Sequence, residues 1–321
     1  MASSSQRQTP DTPATADAPA LSQLLPSASE QLNAVEEVRR LFEQIFASED
    51  GQRKSIDEPI FVSFDVAHGN KKGFSAIGVS LLDTRSFVGK LKNREHTHSP
   101  LWTRTYIFHY GSQGVRLAQK RALFDGDAQK VTPTDRMSLL RHLFSYYNEE
   151  VEPCCQSQKF LPFQASAREP PLSSKAAADS NARPIVVVGH SIPQDIHSLR
   201  KVGFDITQVA PVVAFMDTQT ISRELYWKED RSKNISLKDL CTLIGFQPIK
   251  LHNSGNDAAY TLVVLLSLAS KILGNDTYEN LEKLIQSALL SAKTTTQKRK
   301  EAGQDEHTFE DWAENLNSEN F

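Results

Sequence analysis

The chain has 321 residues, enough for one large domain or two small ones with a real hydrophobic core. Its 36 basic and 39 acidic side chains give a formal net charge of −3, which argues against a strongly basic nucleic-acid binder but leaves room for a local basic patch. The three cysteines, Cys154, Cys155 and Cys241, make neither a CxxC pair nor an even framework, so a zinc module and a disulfide scaffold are excluded and a reducing compartment fits.

Residues 1–26 are rich in Ser, Thr, Pro and Ala and have no apolar period, so disorder is expected there. No charged n-region precedes an apolar run, so the expectation is a protein that is not secreted, cytoplasmic or nuclear. Residues 27–50 read as an amphipathic helix. Ser27 and Glu30 stand in capping-box spacing, and Leu32, Val35, Leu41, Phe42 and Ile45 recur at helical intervals. Such a helix docks on its own domain or, through 30–46, on a protein partner; the first is the plainer expectation.

The main domain is expected over 57–292. "IFVSFDVA", "FSAIGVSLLDT" and "TRTYIFHY" read as three strands, followed by an irregular stretch. "TPTDRMSLLRHLFSYYNEE" reads as a helix capped by Thr134, with Leu139, Leu140, Leu143 and Phe144 on its buried side. Residues 152–183 are Pro-, Ser- and Ala-rich and read as an insertion. "PIVVVGH" is a fully apolar strand, and the helix after it opens at Pro193 and stops at Gly203. "VVAFMDTQ" is a fifth strand ending on Asp217.

Helices "SLKDLCTLIG", "DAAYTLVVLLSLASKILG" and "YENLEKLIQSALLSA" complete the domain, and 293–321 reads as a polar disordered tail. The apolar stretch Tyr260–Leu273 is shorter than the roughly 20 residues a bilayer needs, so it reads as a buried helix and no membrane partner is expected. Three meander strands followed by βαβ crossovers predict an α/β domain with a mixed five-stranded sheet flanked by helices. No glycine-rich phosphate loop follows the first strand, which excludes a doubly wound nucleotide fold.

Three carboxylates sit where such a sheet would gather them. Asp65 ends the first strand, Asp195 lies just inside the helix after the fourth, and Asp257 opens the apolar helix, with His252 five residues before it. Taken singly, Asp257 reads as a helix N-cap and Asp195 as a first-turn aspartate favoured by the helix dipole. Taken together, they suit phosphodiester hydrolysis. Hard divalent cations such as Mg²⁺ or Mn²⁺ take oxygen ligands, and a nearby histidine accepts the proton of the attacking water.

"IFVSFDV…IGVSLLDTR", "VVVGHSIPQDIHSLRKVGFD" and "LHNSGNDAAYTLVVLL" resemble the DEDD exonucleases of the ribonuclease-H-like superfamily, in the subgroup with a histidine in the third motif. They look most like the fungal family typified by the "good for full DEAD-box helicase activity" protein. The resemblance covers about 57–273 and implies an RNase-H-like fold. It also implies Asp65, Asp195 and Asp257 as metal ligands, His252 as general base, and Asp217 as a structural or capping residue.

One departure matters. The family pattern opens with Asp-x-Glu, and here the glutamate position is Ala67; a second acid of the family pattern falls at Ala76. A methyl group binds no cation, and Val66 points to the other face of the strand.

Lys71, Lys72, Lys90, Lys92 and Arg94 cluster near the first hairpin, and Arg116, Lys120 and Arg121 follow; all could position phosphates. The expected function is nucleic-acid binding, to RNA or DNA, on an exonuclease-like fold with catalysis lost or reduced. The alternatives are an active metal-dependent 3′-5′ exonuclease and a protein-interaction scaffold.

Overall fold

Apolar runs dictate the sheet. In β1 (Ile60–His68) successive side chains alternate, so Ile60, Val62, Phe64 and Val66 join one core cluster while Phe61 joins the other. Ser63, Asp65 and Ala67 share the Phe61 face by the same alternation. β5 (Ile185–Gly189) is buried at every residue, as a strand covered on both faces must be.

The computed structural model describes residues 33–47, 59–68, 74–84, 101–108, 112–124, 126–145, 182–230, 232–274 and 279–301. The remaining described strands are β2 (Phe74–Asp83), β3 (Trp102–Ile107), β4 (Asp127–Lys130) and β6 (Val212–Asp217). The helices are α1 (Ala34–Ala47), α2 (Ser112–Arg121), α3 (Arg136–Phe144), α4 (Ile192–Lys201), α5 (Thr218–Tyr226), α6 (Leu237–Leu243), α7 (Ser254–Leu273) and α8 (Glu279–Glu301).

The described strands form one six-stranded mixed sheet in the order β4-β3-β2-β1-β5-β6. β1–β2 and β2–β3 pair antiparallel, while β3–β4, β1–β5 and β5–β6 pair parallel. α7 lies on the Phe61 face, with α1 and α8 packed around it; α3 and α4 cover the other face. The architecture is RNase-H-like.

α7 is long and apolar enough to cross a membrane by composition alone, yet it is the core helix of this domain, buried along most of its length. α1 docks on its own domain. Val38, Phe42 and Ile45 are buried, and the Phe42 ring lies 5.5 Å from Phe61. Burying three such side chains contributes about 1.5–3 kcal/mol each, before the cost of ordering the helix. The described part of the helix's apolar stripe is thus packed against its own domain.

Several expectations change. Among the described residues the sheet has six strands where five were expected, because the short polar β4 pairs beside β3; its Asp127 faces the Arg104 guanidinium at 3.7 Å. The stretch read as irregular contains α2. Thr134 does not cap the helix; Thr132 caps a short 3₁₀ turn, Pro133–Asp135, that leads into α3. The polar tail expected from residue 293 is helical as far as Glu301. Its lysines, arginine and glutamine are good helix formers, and Thr295 and Thr296 return their hydroxyls to the carbonyls of Ser291 and Ala292.

Arg183, the last residue assigned to the insertion, is buried and forks onto Asp83 at 2.8 and 2.9 Å, so it anchors the entry to β5. Residues 1–32, 146–181 and 302–321, with Ser27, Glu30 and the rest of the insertion, lie outside the described residues.

Candidate functional site

The site is built where α7 meets the sheet. Asp65 stands opposite Gly78 in the β1–β2 register. A methyl group on Gly78 would fall 1.8 Å from the Ser254 carbonyl carbon, and one on Gly255 would fall 2.5 Å from Thr105 Oγ1. Only glycine at both places lets the first turn of α7 sit directly on β2 and β3. That close approach brings Asp257, in the first turn, beside Asp65.

Two asparagines fix the turn. Asn253 caps α7, its Oδ1 accepting from Asn256 N and Thr105 Oγ1, both at 3.2 Å, while its Nδ2 donates to Ala118 O at 3.2 Å. Asn256, fully buried, donates to Arg121 O and Lys250 O at 2.9 and 2.8 Å and accepts from Leu123 N at 2.8 Å. Asp257 is thus a first-turn residue and not the cap.

The other carboxylate arrives from α4. Gly189 ends β5, Ser191 takes a left-handed conformation (φ 65°), and Asp217 holds the turn by accepting from Ser191 N at 2.9 Å and Gln219 N at 3.0 Å. Asp217 is therefore the cap of α5 and a clamp on the β5–α4 turn. The turn leaves Asp195 buried, with Oδ1 accepting from Val66 N at 3.2 Å, next to Asp65 in the chain.

Electrostatics ties the three acids together. Burial, then the charge of Asp65, pushes the Asp195 carboxyl up to about 8, against the pull of the Val66 N–H. Burial and Asp65 also raise Asp257 well above the usual carboxylate range; the His252 N–H and the Arg121 guanidinium act the other way. Asp65 is the charge common to both. Asp257 Oδ2 accepts from His252 N at 3.1 Å, while Oδ1 is buried without a hydrogen-bond partner among the described residues.

His252 is exposed at the mouth of this corner, on a loop where both Lys250 (φ 53°) and His252 (φ 64°) are left-handed, a conformation costly for residues with a Cβ. Arg121 closes the other side, with Nη2 donating to Leu251 O at 2.7 Å.

The donors suit a hard cation in type but not in number. Three carboxylates and an orphaned buried oxygen are what Mg²⁺ or Mn²⁺ prefers. Yet among the described residues no three His, Cys, Asp or Glu side chains are gathered closely enough to hold an ion. Ala67 pairs directly across from Ala76, so two methyl groups lie side by side two residues beyond Asp65. The β1–β2 register then shifts between Ala67 and His68. The described residues alone do not make a finished metal centre.

Of the residues expected from sequence, Asp65, Asp195, Asp257 and His252 converge. Lys71, Lys72, Lys90, Lys92 and Arg94 lie outside the described residues. Phe108 is buried against Phe74 (5.4 Å between rings) with the Arg136 guanidinium over it, so it offers no face for base stacking. The bracing roles of Asn253 and Asn256 went unread in sequence, although an asparagine just before an apolar helical run is an ordinary cap signal.

Residues 149–268 match the family model described as DEDDh_C, DNA polymerase III subunit epsilon-like, C-terminal domain. The match supports the DEDDh exonuclease superfamily. The matched span contains Asp195, His252 and Asp257 and leaves out the strand with Asp65 and Ala67. Among curated proteins, an uncharacterized nucleolar protein of Schizosaccharomyces pombe is 31% identical over 86 residues, covering 26% of this chain and 35% of that protein. An uncharacterized protein of Saccharomyces cerevisiae is 32% identical over 114 residues, covering 29% of this chain and 23% of that protein. The chain thus spans about a third or less of the length of these relatives.

Proposed function

We propose that this chain binds RNA or DNA on a DEDDh exonuclease-type fold, with catalysis lost or much reduced. The observation that carries this reading is the pairing of Ala67 with Ala76, the two positions where the family resemblance leads one to expect acids. Asp65, Asp195 and Asp257 would hold at most one Mg²⁺ or Mn²⁺, weakly. A bound ion of that kind would polarise a phosphate oxygen, but without a second ion the developing charge on the leaving oxygen goes uncompensated. What stays intact is a framed corner with a cation, Arg121, beside it, which suits holding a phosphodiester. Placement in the fungal family named above rests on the three quoted stretches, around Asp65, Asp195 and Asp257. The nucleolar relative supports a nuclear location.

A second reading, an active 3′-5′ exonuclease, is favoured by one observation: the buried Asp257 Oδ1, which has no hydrogen-bond partner among the described residues. Labelled single-stranded and 3′-recessed RNA and DNA, incubated with the full chain in Mg²⁺ or Mn²⁺, separate the two. The expected result is retention without trimming by the native protein. Metal-dependent trimming should appear in Ala67→Glu and disappear again in Ala67→Glu/Asp65→Asn. Trimming by the native protein that Asp65→Asn abolishes overturns the first reading in favour of the second.

A further inference from the structure

We propose that α2 and the C-terminal part of α8 form one basic ridge that carries the phosphate backbone of a nucleic-acid strand up to the carboxylate corner. The inference rests on the nucleic-acid-binding reading above and adds to it a surface that the hairpin lysines do not include.

The two segments are far apart in sequence. Residues 112–121 contain three basic side chains and no acidic one, and residues 293–300 contain four and none, in a chain whose formal net charge is −3. The fold brings their ends together, because Arg299 donates from Nη1 to the Lys120 carbonyl. Arg116, Lys120, Lys298 and Lys300 are exposed. The ridge then continues inward through Arg121, which donates to the Leu251 carbonyl beside His252 and whose charge acts on Asp257. Glu301, the acid that follows directly, accepts from Gln297 one turn back along its own helix.

Helix-dipole compensation accounts for basic residues in the last turn of each helix taken alone. It does not account for two such ends meeting. Like charges held side by side repel, and folding gains nothing from that arrangement. A polyanion laid across both ends reverses the sign of the interaction. The exposed ammonium and guanidinium groups of Arg116, Lys120, Lys298 and Lys300 suit sequence-independent phosphate contacts.

The test removes equal charge from two places in the full chain. Lys120→Gln/Lys298→Gln/Lys300→Gln strips the ridge but spares Arg121 and Arg299, which make structural hydrogen bonds. Lys201→Gln/Lys228→Gln/Lys238→Gln strips exposed lysines elsewhere. Fluorescein-labelled 20-nucleotide single-stranded RNA and DNA are titrated with each protein by anisotropy across a salt series. The ridge variant is expected to bind at least about tenfold more weakly, with a salt slope shallower by about 2, while the control stays near native. Equal weakening of both variants, or none in the ridge variant while the native protein binds, overturns the ridge and leaves the binding function standing. No binding by the native protein sinks both.

Discussion

Gly78 lies so close beneath Ser254 that β2 and the first turn of α7 touch backbone to backbone. The contact sets the distance between the strand that carries Asp65 and the helix that carries Asp257. Side-chain volume at this point has nowhere to go, since the obstructing atoms are main chain.

Gly78→Ala is therefore expected to cost about 3 kcal/mol or more in unfolding free energy and to lower the yield of folded protein. Urea unfolding followed by circular dichroism measures it. A loss under about 1 kcal/mol would mean that α7 can lift off the sheet without consequence.

The fork between Arg183 and Asp83 is buried on both sides and joins the end of β2 to the entry of β5. Arg183→Met should cost about 3–5 kcal/mol, because it strands the Asp83 carboxylate in the core. Arg183→Met/Asp83→Leu should recover most of that loss. A double variant no more stable than the single one would show that the pair does more than neutralise itself.

His190 is held by two contacts, Nδ1 to Thr218 Oγ1 and Nε2 to the Ile235 carbonyl, each 2.9 Å. Burial pulls its pKa below the ordinary histidine value, against the Ile235 hydrogen bond and the Asp217 charge. A histidine lowered in the folded state binds its proton more readily once unfolded. Its contribution is therefore complete above about pH 6.5 and is lost as the pH falls through the lower folded value, by at most about 1.4 kcal/mol per pH unit. His190→Gln should flatten the acid limb of stability against pH between 6.5 and 5 relative to the native protein, read by urea midpoints. Parallel limbs in the two proteins would remove His190 from the account.

Much of this was legible in the chain because it follows from period and punctuation. The apolar run of β5, the alternation of β1 ending on Asp65, and the buried side of α3 at Leu139, Leu140, Leu143 and Phe144 all appear where hydrophobic spacing puts them. β4 and α2 were hidden for the opposite reason. "DAQK" has no apolar residue beyond alanine, and "SQGVRLAQKR" has a glycine and little to bury; both are held by neighbours. β4 gains its order from β3, and α2 gains its order from Asn253 and Asn256. The convergence of Asp65, Asp195 and Asp257 was readable from strand ends and helix starts. The glycine contacts that create it were not, because they depend on which backbone passes overhead.

The stretch "HNSGND" serves two masters, and the consequence concerns how sequences like this one are read. Asn253 caps, Gly255 clears Thr105, and Asn256 ties down three backbone groups, so most of the motif is required merely to close the domain. A chain that had given up hydrolysis would still need it. The presence of these letters therefore certifies an intact scaffold, and it says nothing about the chemistry at Ala67.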